Sequence, residues 1–257
     1  MPDFLTAIDW QQVLPFIAIG FAAQVVDGAL GMAFGVINST LLVTVMGVPP
    51  AVASASVHAV ETFTTAASGV SHVAHRNVDW KLFRRLVIPG MIGAVLGATL
   101  LSTVDASVAK PFVMAYLACI GVYLLVRAIR GRIAPRTPRV VAPLGLVGGF
   151  LDAAGGGGWG PVVTSNLLIQ GATPRHTIGT VNTAEFFLTA TASVTFFVAL
   201  GWSAFTIHTL GILIGGIIAA PLGGILAKRV PTRQLMAFVG ILLTLTSAWS
   251  IYSALTK

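Results

Sequence analysis

Four carboxylic acids, Asp27, Glu61, Asp152 and Glu185, sit inside apolar sequence, out of only eight Asp and Glu in the 257-residue chain. A carboxylate at the centre of a bilayer costs on the order of 3 kcal/mol on insertion scales, so acids in such runs are functional candidates. The chemistry open to Glu61 and Glu185 is uptake and release of coupling protons, because burial disfavours the charged form. His58 lies one helical turn before Glu61, which suits a proton relay because histidine titrates near neutral pH. Ser54, His58, Glu61, Thr65 and Ser68 recur at three- and four-residue steps on one helix face, and Asn182, Glu185 and Thr189 form a shorter matching stripe. A polar stripe on a spanning helix must face protein or a water-filled cavity. Two readings stay open: proton coupling, or protonated Glu side chains hydrogen-bonded to broken backbone nearby.

Next to two of the acids the chain is broken by glycine. The breaks read Asp27-Gly28-Ala29-Leu30-Gly31 and Asp152-Ala153-Ala154-Gly155-Gly156-Gly157-Gly158. Four glycines in a row unwind a helix. The helix leaving such a tip begins with unpaired N–H groups and the positive end of its dipole, and glycine lets an anion come close to that backbone. Gly28, Gly31, Gly155, Gly156, Gly157 and Gly158, with Ser39, Thr164 and Asn182, are therefore the candidate anion-binding set. Close helix packing is the alternative for both tips. Asp27 and Asp152 stand just before the tips, where capping of the outgoing helix is expected. Neither H-E-x-x-H nor Gly-x-Ser-x-Gly occurs, and His58 lacks further ligands for a metal site. No enzyme, cofactor or metal is expected.

The elements that must position these residues follow from composition. The chain is 56% hydrophobic and 9% charged, with a mean hydropathy of +0.90, against roughly 25% charged residues in a soluble domain. A single cysteine, Cys119, excludes a disulfide scaffold. The net charge of +7 does not indicate nucleic acid, because the cations sit in gaps between apolar runs. A bilayer core about 30 Å thick needs roughly 20 apolar residues per helix. Segments 51–74, 86–103, 108–127, 177–200, 207–227 and 234–254 meet that length. Stretches 13–46 and 140–170 are glycine-broken, and the arms of the second are only about 20 Å long. Each reads as a hairpin that turns back or as a strongly broken helix. The opening residues lack the positive region of a signal peptide, so the first apolar segment is expected to be retained.

All but Lys110 and Lys257 of the 15 Lys and Arg residues fall in four loops. All four loops share the cytoplasmic side if each broken stretch crosses an even number of times, with both termini outside. Residues 20–127 and 145–254 align, Asp27 facing Asp152, Gly35 facing Gly160, Glu61 facing Glu185 and Gly97 facing Gly223. The basic loops fall at unmatched positions in the halves, so matched loops face opposite sides. The expected fold is an all-α polytopic membrane protein of two inverted-topology repeats, each a glycine-broken helical hairpin plus three spanning helices. The first repeat spans 1–127, a basic cytoplasmic connector 128–140, and the second repeat 141–257.

The residues also carry a resemblance. Asp27-Gly28-Ala29-Leu30-Gly31-Met32, Pro49-Pro50-Ala51-Val52-Ala53-Ser54-Ala55-Ser56-Val57-His58 with Glu61, Ser68-Gly69-Val70-Ser71-His72, and Gly148-Gly149-Phe150 through Gly160-Pro161 resemble the TauE/SafE (sulfite exporter) family of bacterial membrane transporters. The resemblance covers nearly the whole chain. It implies a duplicated helical bundle in the inner membrane that moves sulfite, sulfoacetate or related organosulfonates. The first tip departs from the family's glycine run, with Ala29, Leu30, Ala33 and Phe34. The expected function is a secondary transporter of a small sulfur-containing anion working by alternating access, with proton coupling as an option. A passive anion channel and a proton-coupled carrier for a cation or metal are the alternatives. The expected partners are the small anion and the lipid bilayer, with no nucleic acid; a homodimer is left open.

Overall fold

The computed structural model describes residues 10–30, 32–129, 137–204, 207–229 and 232–255. Long helices dominate, and no strand occurs among the described residues. In chain order they are α1 (Trp10–Leu30), α2 (Phe34–Thr44), α3 (Pro50–Ala74), α4 (Trp80–Thr103), α5 (Ala106–Ile129) and α6 (Ala142–Gly155). A π-helical turn (Gly160–Thr164) and α7 (Ser165–Ile169) follow, then α8 (Pro174–Leu200), α9 (Ile207–Arg229) and α10 (Thr232–Leu255).

Local chemistry sets the ends. Pro50 opens α3 and Pro174 opens α8, positions where the missing N–H costs nothing. Asp79 accepts from the N–H of Lys81 at 2.9 Å and of Leu82 at 3.1 Å, so α4 begins well before the apolar segment expected from residue 86. Its first turns carry Lys81, Arg84 and Arg85, whose long stems reach back to water. The helices expected across the bilayer run 23 to 27 residues, about 35–40 Å at 1.5 Å per residue. Trp80–Thr103, Ala106–Ile129 and His176–Leu200 are both long and apolar enough to cross a membrane by length and composition. The 25 residues of α3 have the length, but the Ser, Thr, His and Glu stripe lowers their hydropathy. Ile88, Ile92 and Leu96 are more than half exposed along one face of α4, an apolar surface of the kind that meets lipid rather than water.

The two glycine-broken stretches are unequal. The 21 residues of α1 extend about 31 Å and the 14 of α6 about 21 Å, and each helix ends at a tip, α1 at Leu30 and α6 at Gly155. At the second break the chain turns back on itself. Gly148 of α6 packs beneath Val163 and Trp159 of the returning arm. The base is closed by Gln170, whose Oε1 accepts from the N–H of Arg139 at 2.9 Å and of Val140 at 3.0 Å. Residues 139–170 thus enter and leave on the same side as a closed hairpin.

Helix α1 packs along α9, α6 along α4, α5 along α10 and α3 along α8, with α4 also against α8. Close approach at small residues makes this possible: a methyl group on Gly20 would lie 2.4 Å from the Ile212 carbonyl oxygen, and one on Gly145 2.8 Å from that of Leu86. The six helices α3, α4, α5, α8, α9 and α10 surround the two tips, in which α1 and α6 end.

Candidate functional site

The tips are built by their own aspartates. A helix that starts in the protein interior has orphan N–H groups needing acceptors. Asp27 Oδ1 accepts from Ala33 N at 2.7 Å and Phe34 N at 3.0 Å. Asp152 Oδ1 accepts from Trp159 N at 2.7 Å, while its backbone oxygen takes the N–H groups of Gly156 and Gly157. The turn between them runs through Gly156, Gly157 and Gly158 with φ of 76°, 129° and 142°, a region that side-chain-bearing residues rarely enter.

The two tips interlock. A methyl group on Gly157 would lie 2.4 Å from the Gly35 carbonyl carbon, and one on Gly160 2.8 Å from Met32 Cα. Ser39 Oγ donates to the Gly156 carbonyl, and Tyr116 OH donates to that of Gly157 at 3.2 Å. The Tyr116 ring covers Gly155, and its hydroxyl reaches Gly158. The glycine run expected to cradle an anion is therefore buried against Ser39, Gly35 and Tyr116 in this conformation.

Glu61 reaches the first tip from α3. Its Oε1 lies against Gly35, 2.9 Å from where a methyl group on that residue would stand, and Glu61 is 5% exposed. The start of α2 is thus met by two of the protein's own carboxylates, Asp27 through the amides of residues 33 and 34 and Glu61 by contact at Gly35. Glu185 stands on α8, half-buried. It is close enough to Asp152 and Asp27 for mutual repulsion, as is Glu61 to all three other acids. Helices α1, α3 and α6 contain no Lys or Arg, and α8 has only Arg175, in its first turn.

His58 faces Asp152 of α6 rather than Glu61, its neighbour along α3. Its Nε2 is 3.1 Å from Asp152 Oδ2, and its Nδ1 is 2.8 Å from the Ser54 carbonyl oxygen. A carbonyl oxygen only accepts, so Nδ1 carries a proton. The second contact then also needs a proton, on Nε2 or on Oδ2. The pair holds a shared proton in either place, fully buried, with His58 at 0% and Asp152 at 2% exposure.

From this junction a polar seam follows the α3–α8 contact. Thr62 Oγ1 lies 3.3 Å from Ser193 Oγ, and Thr65 Oγ1 lies 3.4 Å from Thr189 Oγ1. Gly69 sits against Thr183, and His72 Nε2 lies 3.4 Å from Asn182 Nδ2. Beside the junction, α4, α5 and α6 enclose an apolar cavity of about 380 Å³ that ends on Tyr116 and Gly155.

Of the residues expected from sequence, the structure brings Asp27, Ser39, His58, Glu61, Asp152 and Gly155 to Gly158 together. Thr164 is buried on the returning arm of the second hairpin. Asn182, next to the Val181 carbonyl that Trp159 bonds, turns its own side chain to His72 rather than to the glycine run. Gly28 belongs to the last turn of α1, and Gly31 lies outside the described residues.

Sequence reasoning misses Tyr116, Trp159 and Asn38. Tyr116 is legible only as a hydroxyl in the middle of an apolar span. Trp159 directly follows the glycine run and is fully buried, its Nε1 donating to the Val181 carbonyl at 3.2 Å. Asn38 is also fully buried, and its Oδ1 has no hydrogen-bond partner among the described residues.

Comparison with known proteins bears on this arrangement. The family described as "Sulfite exporter TauE/SafE" matches residues 16–249. A curated relative, "Probable membrane transporter protein YtnM" of Bacillus subtilis (strain 168), is 42% identical over 247 residues, covering 93% of this chain and 82% of the relative. No solved structure matches the chain. The match spans both tips, both intramembrane glutamates and the seam between them, and the chain belongs to the TauE/SafE sulfite exporter family of membrane transporters.

Proposed function

We propose that the chain is a secondary transporter that carries a small sulfur-containing anion, of the sulfite or organosulfonate type, across the bacterial inner membrane together with protons. The observation that carries this reading is the charge balance at the tip junction. Asp27, Glu61 and Asp152 meet there, with Glu185 on the adjoining α8, on helices almost without cations. An anion entering beside ionised acids meets repulsion in a medium that screens poorly. Protons on Glu61 and Glu185 remove it, and the proton shared by His58 and Asp152 supplies a neighbouring store. Anion and proton occupancy then favour each other, which is the linkage a symporter needs.

Alternating access follows from an inverted pair of repeats, residues 1–127 and 141–257 around the connector 128–140. Several contacts support that pairing. Gly20 on Ile212 matches Gly145 on Leu86, and Gly35 on Gly157 matches Met32 on Gly160. Asp27 with Phe34 N matches Asp152 with Trp159 N. One pair of contacts breaks the match. Phe83 of α4 meets Phe187 of α8 edge-on at 5.6 Å, while of the residues aligned with them Phe63 is 66% exposed and His208 lies on Phe16 instead. An exchange of these two contacts between halves is the motion that carries the site from one side to the other. The orientation that sets the basic loops in the cytoplasm and both termini outside goes with this reading.

The test is anion uptake into proteoliposomes with a pH-sensitive dye inside. Anion entry is expected to acidify the lumen, and Glu61→Gln with Glu185→Gln is expected to abolish the acidification. Uptake that is indifferent to a pH gradient in both proteins would refute proton coupling. The acids also fit a cation carrier, and uptake of a metal ion instead of the anion would establish that reading.

A further inference from the structure

Away from the tips, a second cavity of about 460 Å³ opens between the first turns of α4 and α8 and the segment before α6. Its polar lining comes from Asp79, Lys81, Arg85, Thr137, His176 and Thr177, and its size is within the range of about 300–1,000 Å³ for small-ligand sites. The negative charge in it is committed: Asp79 Oδ1 accepts the N–H groups of Lys81 and Leu82. Arg85 uses one of its five donors on the Arg139 carbonyl, through Nη2 at 3.1 Å. The start of α8 adds positive dipole, since Thr173 makes no side-chain cap there. The cavity is thus built to receive a compact anion.

The surroundings say which anion. Trp80 is half exposed and edges onto Phe83 at 5.4 Å, an aromatic pair of the kind found at the level of lipid headgroups. Lys81, Arg85, Ile88 and Ile92 follow one another at four- and three-residue steps, so they share one face of α4. Ile88 is 62% and Ile92 52% exposed. The cations therefore stand at headgroup depth beneath a strip of apolar surface that faces acyl chains. We infer that this cavity holds the phosphate of an anionic phospholipid from the cytoplasmic leaflet, its acyl chain lying along Ile88 and Ile92. Basic pockets beside spanning helices on the cytoplasmic side take such headgroups.

Native mass spectrometry of the full chain, released from nanodiscs of mixed phosphatidylglycerol and phosphatidylcholine, tests this. The wild type is expected to retain phosphatidylglycerol selectively. Lys81→Gln and Arg85→Gln should each weaken retention about five-fold, while Arg85→Lys should keep most of it. Lys110→Gln, at the opposite end of the bundle, should leave it unchanged. Size-exclusion profiles and melting temperatures confirm that each variant is folded before it is scored. Equal retention of both lipids, or equal retention by wild type and the two glutamine variants, overturns the assignment. A free-anion arm separates the sources: displacement of phosphatidylglycerol by millimolar inorganic phosphate alone assigns the cavity to soluble phosphate and overturns the lipid. None of these outcomes depends on what the tips transport.

Discussion

Gly157→Ala is the sharpest test of how the two tips fit together. Gly157 has φ of 129°, and holding an alanine there costs of order 1–3 kcal/mol. The new methyl group would lie 2.4 Å from Gly35 C and 2.6 Å from Val36 N. Both are main-chain atoms at the start of α2, which Asp27 holds in place through the amides of residues 33 and 34. They cannot swing aside as a flexible side chain would, so an overpacking term of about 1–3 kcal/mol adds. The sum, about 4 kcal/mol, lowers the melting temperature by about 8–16 °C at roughly 2–4 °C per kcal/mol. Two control substitutions separate the terms. Gly47 has φ of 69° with nothing within 4 Å of the added methyl group, so Gly47→Ala reports the backbone cost alone, about 1–2 kcal/mol. Gly69 lies in α3, and its methyl group would meet Thr183 Cα at an ordinary 3.5 Å, so Gly69→Ala gains up to about 1 kcal/mol from helix propensity. Tryptophan-fluorescence melts of detergent-purified protein should rank Gly69→Ala highest, Gly47→Ala below wild type and Gly157→Ala lowest. A Gly157→Ala melt at or above that of Gly47→Ala would show that the tips do not touch as described.

Other perturbations address neighbouring parts. Trp159→Phe keeps an aromatic ring but removes the indole donor to the Val181 carbonyl and leaves a gap in a fully buried site, and should cost about 1–3 kcal/mol in the same melts. His58→Gln should shift the pH profile of uptake more than Asn182→Ala does, because only His58 shares a proton with Asp152; equal profiles would remove His58 from the proton path. With Cys119→Ser as background, a short bifunctional thiol reagent should bridge Phe83→Cys/Phe187→Cys and stop transport, whereas it should bridge Phe63→Cys/His208→Cys, the aligned pair, only while substrate is turning over. Asp105, fully exposed, is held below its usual 3.8 by the Ser107 hydroxyl and N–H. A depressed carboxylate stabilises above its unfolded pKa and loses that effect as pH falls through the folded value. Asp105→Asn should therefore flatten the acid limb of the stability curve below about pH 4, and an unchanged limb would show that the cap at the start of α5 carries no weight.

Much of the frame was legible because it is local. The start of α3 at Pro50 and its stripe from Ser54 to Thr65 follow from residues within one or two turns of each other, whereas α4 and α8 start before the apolar segments expected from residues 86 and 177, because Asp79 and Pro174 open them in more polar sequence. The glycine breaks were legible as breaks, and each helix runs three residues past its aspartate before it ends, α1 to Leu30 and α6 to Gly155. What was not legible is that α1 starts farther from its break than α6 does, because that length is set by packing of α1 along α9.

The sequence by itself determined that the chain is apolar enough for a membrane, where its long helices lie, and that four acids sit within or beside them in apolar sequence. These are properties of composition and of periodicity over a few residues. Only the tertiary structure decided which groups the acids meet. Asp152 and His58 are 94 positions apart, Ser39 and Gly156 117, and Thr65 and Thr189 124. Spacing predicts His58 beside Glu61, because both share a helix face; the ring turns to Asp152 because the returning hairpin sets a carboxylate against α3. The glycine run reads as open backbone for an anion until Tyr116, Ser39 and Gly35 are folded over it. A single chain of residues specifies which side chains share a helix face, but which surface covers that face is settled only when distant helices pack.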